Sequence, residues 1–102
     1  MAILHTINQS PKHSETWNKM LSLLSAGDHL LLIEDACYAP TNKSLLRQLT
    51  EQSEQRNIEI FTLKPDAEAR GIQSENKVTE IDYQGFVSLV AETEKTISWC
   101  SE

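Results

Sequence analysis

Glycine is scarce in this chain. There are three in 102 residues, Gly27, Gly71 and Gly85, each far from the next. A loop that cradles phosphate needs its glycines within a few positions of one another, so a mononucleotide-binding turn is excluded. Cysteine is scarcer still, with Cys37 and Cys100 alone. Two cysteines do not make a disulfide framework, and both are expected as free thiols in a reducing compartment. Basic residues are also few: nine Lys and Arg against fifteen Asp and Glu leave a net charge of −6. Counterion release requires a basic surface, so direct binding of nucleic acid is not expected. No apolar run approaches the ~20 residues that span a bilayer, and no membrane contact is expected. Met1-Ala2-Ile3-Leu4-His5 lacks the basic start and long apolar stretch of a secretion signal, so the expected address is cytoplasmic. The histidines His5, His13 and His29 have no pair at zinc-ligand spacing; neither a metal nor a cofactor is expected.

What the chain does have is alternation. Its length suits one domain over 1–102, burying roughly two-thirds of the unfolded surface. Ala2 to Ile7 is rich in β-branched and apolar residues and reads as a strand. Asn8-Gln9-Ser10-Pro11 breaks it. Trp17, Met20, Leu21 and Leu24 then recur at i, i+3, i+4 and i+7, which predicts a helix over about 14–25. Either Ser10 or Ser14 suits its N-cap, and Gly27 suits its C-terminal stop. His29 to Ile33 or Glu34 is a second strand. Its unbroken apolar run, Leu30 to Ile33, suits burial on both faces. The stretch 35–42 reads as a loop, with a helix from Thr41 or Asn42 that turns Leu45, Leu46 and Leu49 inward. Ile58 to Leu63 is a third strand. A short helix over 66–70 lies between Pro65 and Gly71, and 72–77 is a polar loop. Val78 to Ile81 is a fourth strand. Asp82 can cap a helix with Tyr83, Phe86, Val87 and Val90 as its apolar stripe and Lys95 near its end. Thr96 to Trp99 closes the chain as a fifth strand. Strict strand–helix alternation predicts an α/β fold, a three-layer α/β/α sandwich on a mostly parallel sheet of about five strands.

Cys37 is the candidate catalytic residue. It follows Glu34-Asp35 at the carboxyl end of the second strand, where α/β proteins commonly meet their ligands. A nearby helix N-terminus lowers a thiol's pKa, whereas the adjacent acids raise it. The alternative is a small, half-buried loop residue. His5 is placed to neighbour this loop and to activate a thiol, although a histidine there more often bonds a loop. His13 and His29 read as surface residues. Glu34 and Asp35 alternate in a strand and so do not form a carboxylate pair. Cys100 reads as a frayed terminal thiol. Trp17, Tyr38, Phe86 and Trp99 divide between core and interface in a way the residues alone leave open.

Several stretches together carry a family likeness. They are Leu4-His5-Thr6-Ile7-Asn8 with Ser10-Pro11, Gly27-Asp28 before Leu30 to Asp35, Asp66 with Ala69-Arg70-Gly71-Ile72, and Ile81-Asp82-Tyr83 with Phe86-Val87 and Ser98-Trp99. In order and spacing, over nearly the whole chain, the sequence resembles the TusB/DsrH family of sulfur-relay proteins. The resemblance implies a DsrEFH-like fold. It also implies assembly with TusC-like and TusD-like homologous subunits into a heterohexamer that takes sulfur from a TusA-like donor and passes it to a TusE-like acceptor for 2-thiolation of the tRNA wobble uridine. In that family the essential thiol lies on the TusD-type subunit. Family members from sulfur oxidisers carry a cysteine in the first helix, and the matching position here is Met20, which argues for the tRNA-modifying branch. Cys37 stands where relatives usually have a small residue. The favoured expectation is therefore a structural subunit. The rival is a sulfurtransferase in its own right, with Cys37 as persulfide carrier and His5 as base. A stand-alone ligand-binding module is a third reading, disfavoured by the short loops.

Overall fold

The computed structural model describes residues 2–73 and 78–99. Cys100 and most of the polar loop expected over 72–77 lie outside the described residues. The elements are β1 (Ile3–Ile7), α1 (Ser14–Leu23), β2 (His29–Leu32), a 3-10 segment (Glu34–Thr41), α2 (Lys43–Arg56), β3 (Glu59–Leu63), α3 (Lys64–Ala69), β4 (Val78–Ile81), α4 (Tyr83–Glu92) and β5 (Lys95–Trp99). Among the described residues no helix is long and apolar enough to cross a membrane.

The strands form one five-stranded sheet in the order β4-β3-β2-β1-β5. Every pairing is parallel, so the expected sheet is present and is parallel throughout. Three successive crossovers step from β1 to β4 in one direction, and the fourth returns across the sheet to the free side of β1. Because such crossovers are right-handed, reversing the step moves the connecting helix to the opposite face. The core divides accordingly. One cluster joins Trp17 and Met20 of α1 and Leu49 of α2 to Ile7, Leu30, Leu32 and Ile60 of the sheet. The other joins Leu4, Leu31 and Leu63 to Leu89 of α4. The buried Leu30-Leu31-Leu32 run thus feeds both faces, as a central parallel strand must.

The helices start where side chains satisfy their free N–H groups. Asn42 Oδ1 accepts from Leu45 N–H at 3.1 Å, and Asp82 Oδ1 accepts from Gly85 N–H at 2.8 Å. Three expectations are corrected. Neither serine caps α1: His13 is its N-cap residue without a side-chain bond, while Ser10 closes the preceding turn by accepting Lys12 N–H at 3.2 Å. Gly27 does not end α1, which stops at Leu23; with φ +87° it forms the turn into β2, its N–H bonded to Arg56 O at 3.0 Å. The outward and inward sides of α4 also differ from the stripe read in the sequence. Leu89 is buried and Phe86 packs against the second cluster, but Tyr83, Val87 and Val90 face solvent. The cause is that α4 is apolar over most of its circumference, so periodicity does not single out one side.

Candidate functional site at the carboxyl end of the sheet

The stretch read as a loop over 35–42 is wound into 3-10 turns, with Ala36 N–H bonded to Ile33 O at 3.0 Å and Asn42 N–H to Ala39 O at 3.1 Å. β2 ends at Leu32, so Glu34 and Asp35 open these turns rather than finishing a strand. Glu34 turns the backbone at φ 49°, an uncommon conformation for a residue with a Cβ, and its N–H donates to Asp66 Oδ2 at 2.8 Å. Asp35 Oδ1 receives both Nε and Nη2 of Arg70, at 3.1 and 3.0 Å. The short helix α3 and the Arg70 that caps it therefore hold both members of the Glu34-Asp35 pair. Neither Asp66 nor Arg70 belongs to a chemical motif in the sequence, although both stand in the stretches that carry the family likeness.

This arrangement turns Cys37 inward. Its side chain is fully buried. The thiol donates to Leu32 O at 3.6 Å and accepts from Thr62 Oγ1 at 3.3 Å. Burial pushes its pKa up; the carboxylate of Asp66 adds to this, while the Thr62 hydroxyl, Arg70 and the Leu63 N–H oppose it without prevailing. A buried thiol with a raised pKa remains protonated at neutral pH, and the protonated form is the poor nucleophile. The anion that bears on it comes from α3, not from its sequence neighbours Glu34 and Asp35.

An open cleft of about 650 Å³ lies outside the buried thiol, lined by Ser10, Pro11, Lys12, Asp35, Tyr38, Thr41 and Asn42. It is the space beyond the carboxyl ends of β1 and β2, where ligands of parallel sheets are expected. Tyr38, 40% exposed, forms part of its wall. Lys12 brings a cation, and Ser10 and Thr41 bring hydroxyls; Thr41 Oγ1 is already donating to Tyr38 O at 2.6 Å. Among the described residues no group of three or more His, Cys, Asp and Glu could hold a metal ion.

His5 and Cys37 have different partners: His5 bonds Asp28 and Trp99, Cys37 bonds Leu32 and Thr62. His5 is 1% exposed in the middle of β1, with both ring nitrogens occupied. Trp99 Nε1–H donates to Nδ1 at 3.2 Å, and Nε2 faces Asp28 Oδ2 at 3.2 Å. An indole nitrogen can only donate, so Nδ1 is the acceptor and the ring proton sits on Nε2, directed at the carboxylate. Asp28 also accepts from Ile3 N–H at 3.1 Å and Ser25 N–H at 2.9 Å. Burial raises the Asp28 pKa, but the two backbone donors and His5 outweigh it and hold the carboxyl below its ordinary value. Trp99 is half-buried, packed against the first cluster and bonded into this network. Trp17 is buried, its indole donating to Gln9 O at 2.9 Å. His13 is exposed, whereas His29 is half-buried and meets Phe61 edge-on, with ring centroids 5.8 Å apart.

Residues 9–96 match the family described as DsrH like protein. The chain is 32% identical over 100 residues to Protein TusB of Pectobacterium parmentieri, covering 95% of this chain and all of the relative. It is 32% identical over 99 residues to Protein TusB of Escherichia coli O139:H28, with the same coverage. Among solved structures, the ychN protein from E. coli superposes with a TM-score of 0.77 at 18% identity, covering 96% of this chain and 98% of that one. Protein Tm0979 from Thermotoga maritima does so with a TM-score of 0.56 at 22% identity, covering 89% and 92%. At these identities the two structures bear on the fold alone.

Proposed function

The chain belongs to the DsrH-like family, and from that premise we propose that it is a TusB-like subunit of a sulfur-relay complex supporting 2-thiolation of the tRNA wobble uridine, and that its part there is structural. Relatives named TusB that align over their whole length support carrying the subunit role across as a unit. The partners in this reading are TusC-like and TusD-like homologous subunits in a heterohexamer, with TusA-like donors and TusE-like acceptors meeting the assembly. In such a relay an acceptor thiolate attacks the outer sulfur of a donor persulfide. The new S–S bond forms as the old one breaks, and the donor sulfur leaves as a thiolate. Each carrier therefore needs an accessible, ionisable thiol. The net charge of −6 accords with an indirect relation to tRNA.

The observation that carries the structural reading is the environment of Cys37. It is fully buried, hydrogen-bonded on both sides and shifted toward the protonated form, which is the opposite of what a carrier requires. The test is rescue of 2-thiouridine in tRNA from cells lacking this gene, with either the native chain or Cys37→Ser. Serine can keep both hydrogen bonds, so the variant is expected to fold and to restore thiolation to the native level. Rescue by the native chain alone, at matched soluble expression, would make Cys37 a carrier and overturn the structural reading. Failure of both at good expression would overturn the relay assignment itself.

A further inference from the structure

All-parallel sheets are ordinarily covered on both faces. Here the coverage is unequal. The first face carries residues from both α1 and α2. Among the described residues, the second takes its helical residues from α4 alone, a helix of ten residues. Around the four buried residues of that second cluster, Ile33, Phe61, Ile81 and Phe86 stay half-buried. α4 has the composition of a covered helix. From Tyr83 to Ala91 it has no charged side chain. Tyr83, Val87 and Val90, at i, i+4 and i+7, form an outer stripe with exposures of 59%, 68% and 46%. Helices that are apolar on most sides belong in interiors, and contiguous exposed apolar surface marks interaction sites.

We infer that the α4 face is an interface whose occupant is a different chain, presenting an apolar surface bordered by lysine or arginine, and not a second copy of this one. Charge selects between the two. The charged residues bordering the stripe on this face are Asp82, which caps α4, and Glu92 and Glu94 at and just beyond its end; Glu80 and Lys95 alternate to the other face of the sheet, with Val78 and Trp99. These three carboxylates make that border acidic. A twofold pair through α4 would set acidic border on acidic border, and would bring together two chains of net charge −6. Like charges so placed oppose association, whereas a basic border on the partner speeds encounter and fixes register. This inference rests on the subunit reading above, and deepens it by naming the face that a homologous TusC-like or TusD-like subunit covers.

The experiment titrates the chain into the co-purified TusC-like and TusD-like subunits of the same organism, by calorimetry and sedimentation, at low and high salt. Native chain, Val87→Glu and Val90→Glu are compared. Both sites are exposed, so each variant is expected to keep the native circular dichroism and melting temperature. Each is expected to bind at least about tenfold more weakly, the loss typical when a central apolar contact is removed. Binding by the native chain is expected to weaken as salt rises. Native affinity in both folded variants would overturn the α4 assignment while leaving the complex standing. Absence of any complex with the native chain would overturn the subunit reading and this inference with it. Dimerisation of the native chain alone, abolished by Val87→Glu, would show that the occupant is a second copy and overturn the choice made here.

Discussion

Asp28 is a carboxylate at 2% exposure with three donors aimed at it, and it holds more of the fold than its place in a turn suggests. It joins the end of α1 to the start of β1 through Ser25 and Ile3, and through His5 it reaches Trp99 on β5. The sign of its linkage to pH follows from its depressed pKa. A carboxyl whose folded pKa lies below the unfolded 3.8 contributes stability that is complete above that value and is lost as pH falls toward the folded one. Urea unfolding at a series of pH values is therefore expected to show a loss of stability beginning near pH 4 and deepening below it. Asp28→Asn is expected to remove part of that slope and to cost about 2–3 kcal/mol at pH 7, since hydrogen bonds to a buried charged group are lost. An unchanged slope in the variant would place the acid-sensitive group elsewhere.

At the scale of elements, the contact between α4 and β4 depends on the absence of one carbon. A Cβ on Gly85 would lie 2.8 Å from Ile81 Cβ, a stem atom that no rotamer change moves. Gly85→Ala weighs two effects. Alanine favours a helix by up to about 1 kcal/mol, but less in the first turn, where Gly85 sits. Overpacking costs about 1–3 kcal/mol. The expected net is a loss of about 1–2 kcal/mol in urea unfolding, and a gain in stability would show that β4, an edge strand, yields easily. Gly85 also shows where sequence reading stops. Strands and helices were legible because runs such as Leu30 to Leu32 and stripes such as Trp17, Met20 and Leu24 are local signals, and strict alternation implied the parallel sheet. The inward side of α4 was not legible, because Val87 and Val90 look as fit for a core as Phe86 and Leu89. The 3-10 turns over Glu34–Thr41 have no apolar period to announce them. The polar networks were hidden by distance along the chain: His5 meets Trp99 across 94 positions, and Glu34 meets Asp66 across 32. Their members were nonetheless among the residues that carry the family likeness. That likeness therefore lies largely in groups that hold the backbone together, and it transfers a fold and an assembly more readily than a reactive thiol.

For the whole molecule, the unequal covering of the sheet has a thermodynamic consequence. A chain of 102 residues has one modest core, divided here between two faces, and among the described residues the second face is closed by a single helix. Stability left unrealised at that face becomes available when a partner covers it. A partner that binds only the folded chain adds RT ln(1 + [L]/Kd), about 2.7 kcal/mol at a free concentration 100 times Kd. For a domain of this size each kcal/mol moves the melting temperature by about 4–8 °C, so the shift on adding TusC-like and TusD-like subunits is expected to be on the order of 10 °C or more. The measurement is differential scanning fluorimetry on a dye-labelled chain across a partner titration, so that only this subunit's unfolding is read. Mass action requires the shift to grow with partner concentration without a plateau at saturation. A shift that stops growing at one equivalent would indicate that partner and chain unfold together. No shift, with the complex shown to form, would mean that the partner binds folded and unfolded chain alike. The surface it grips would then be one the fold does not create, and the outer face of α4 would lose its claim to be the interface.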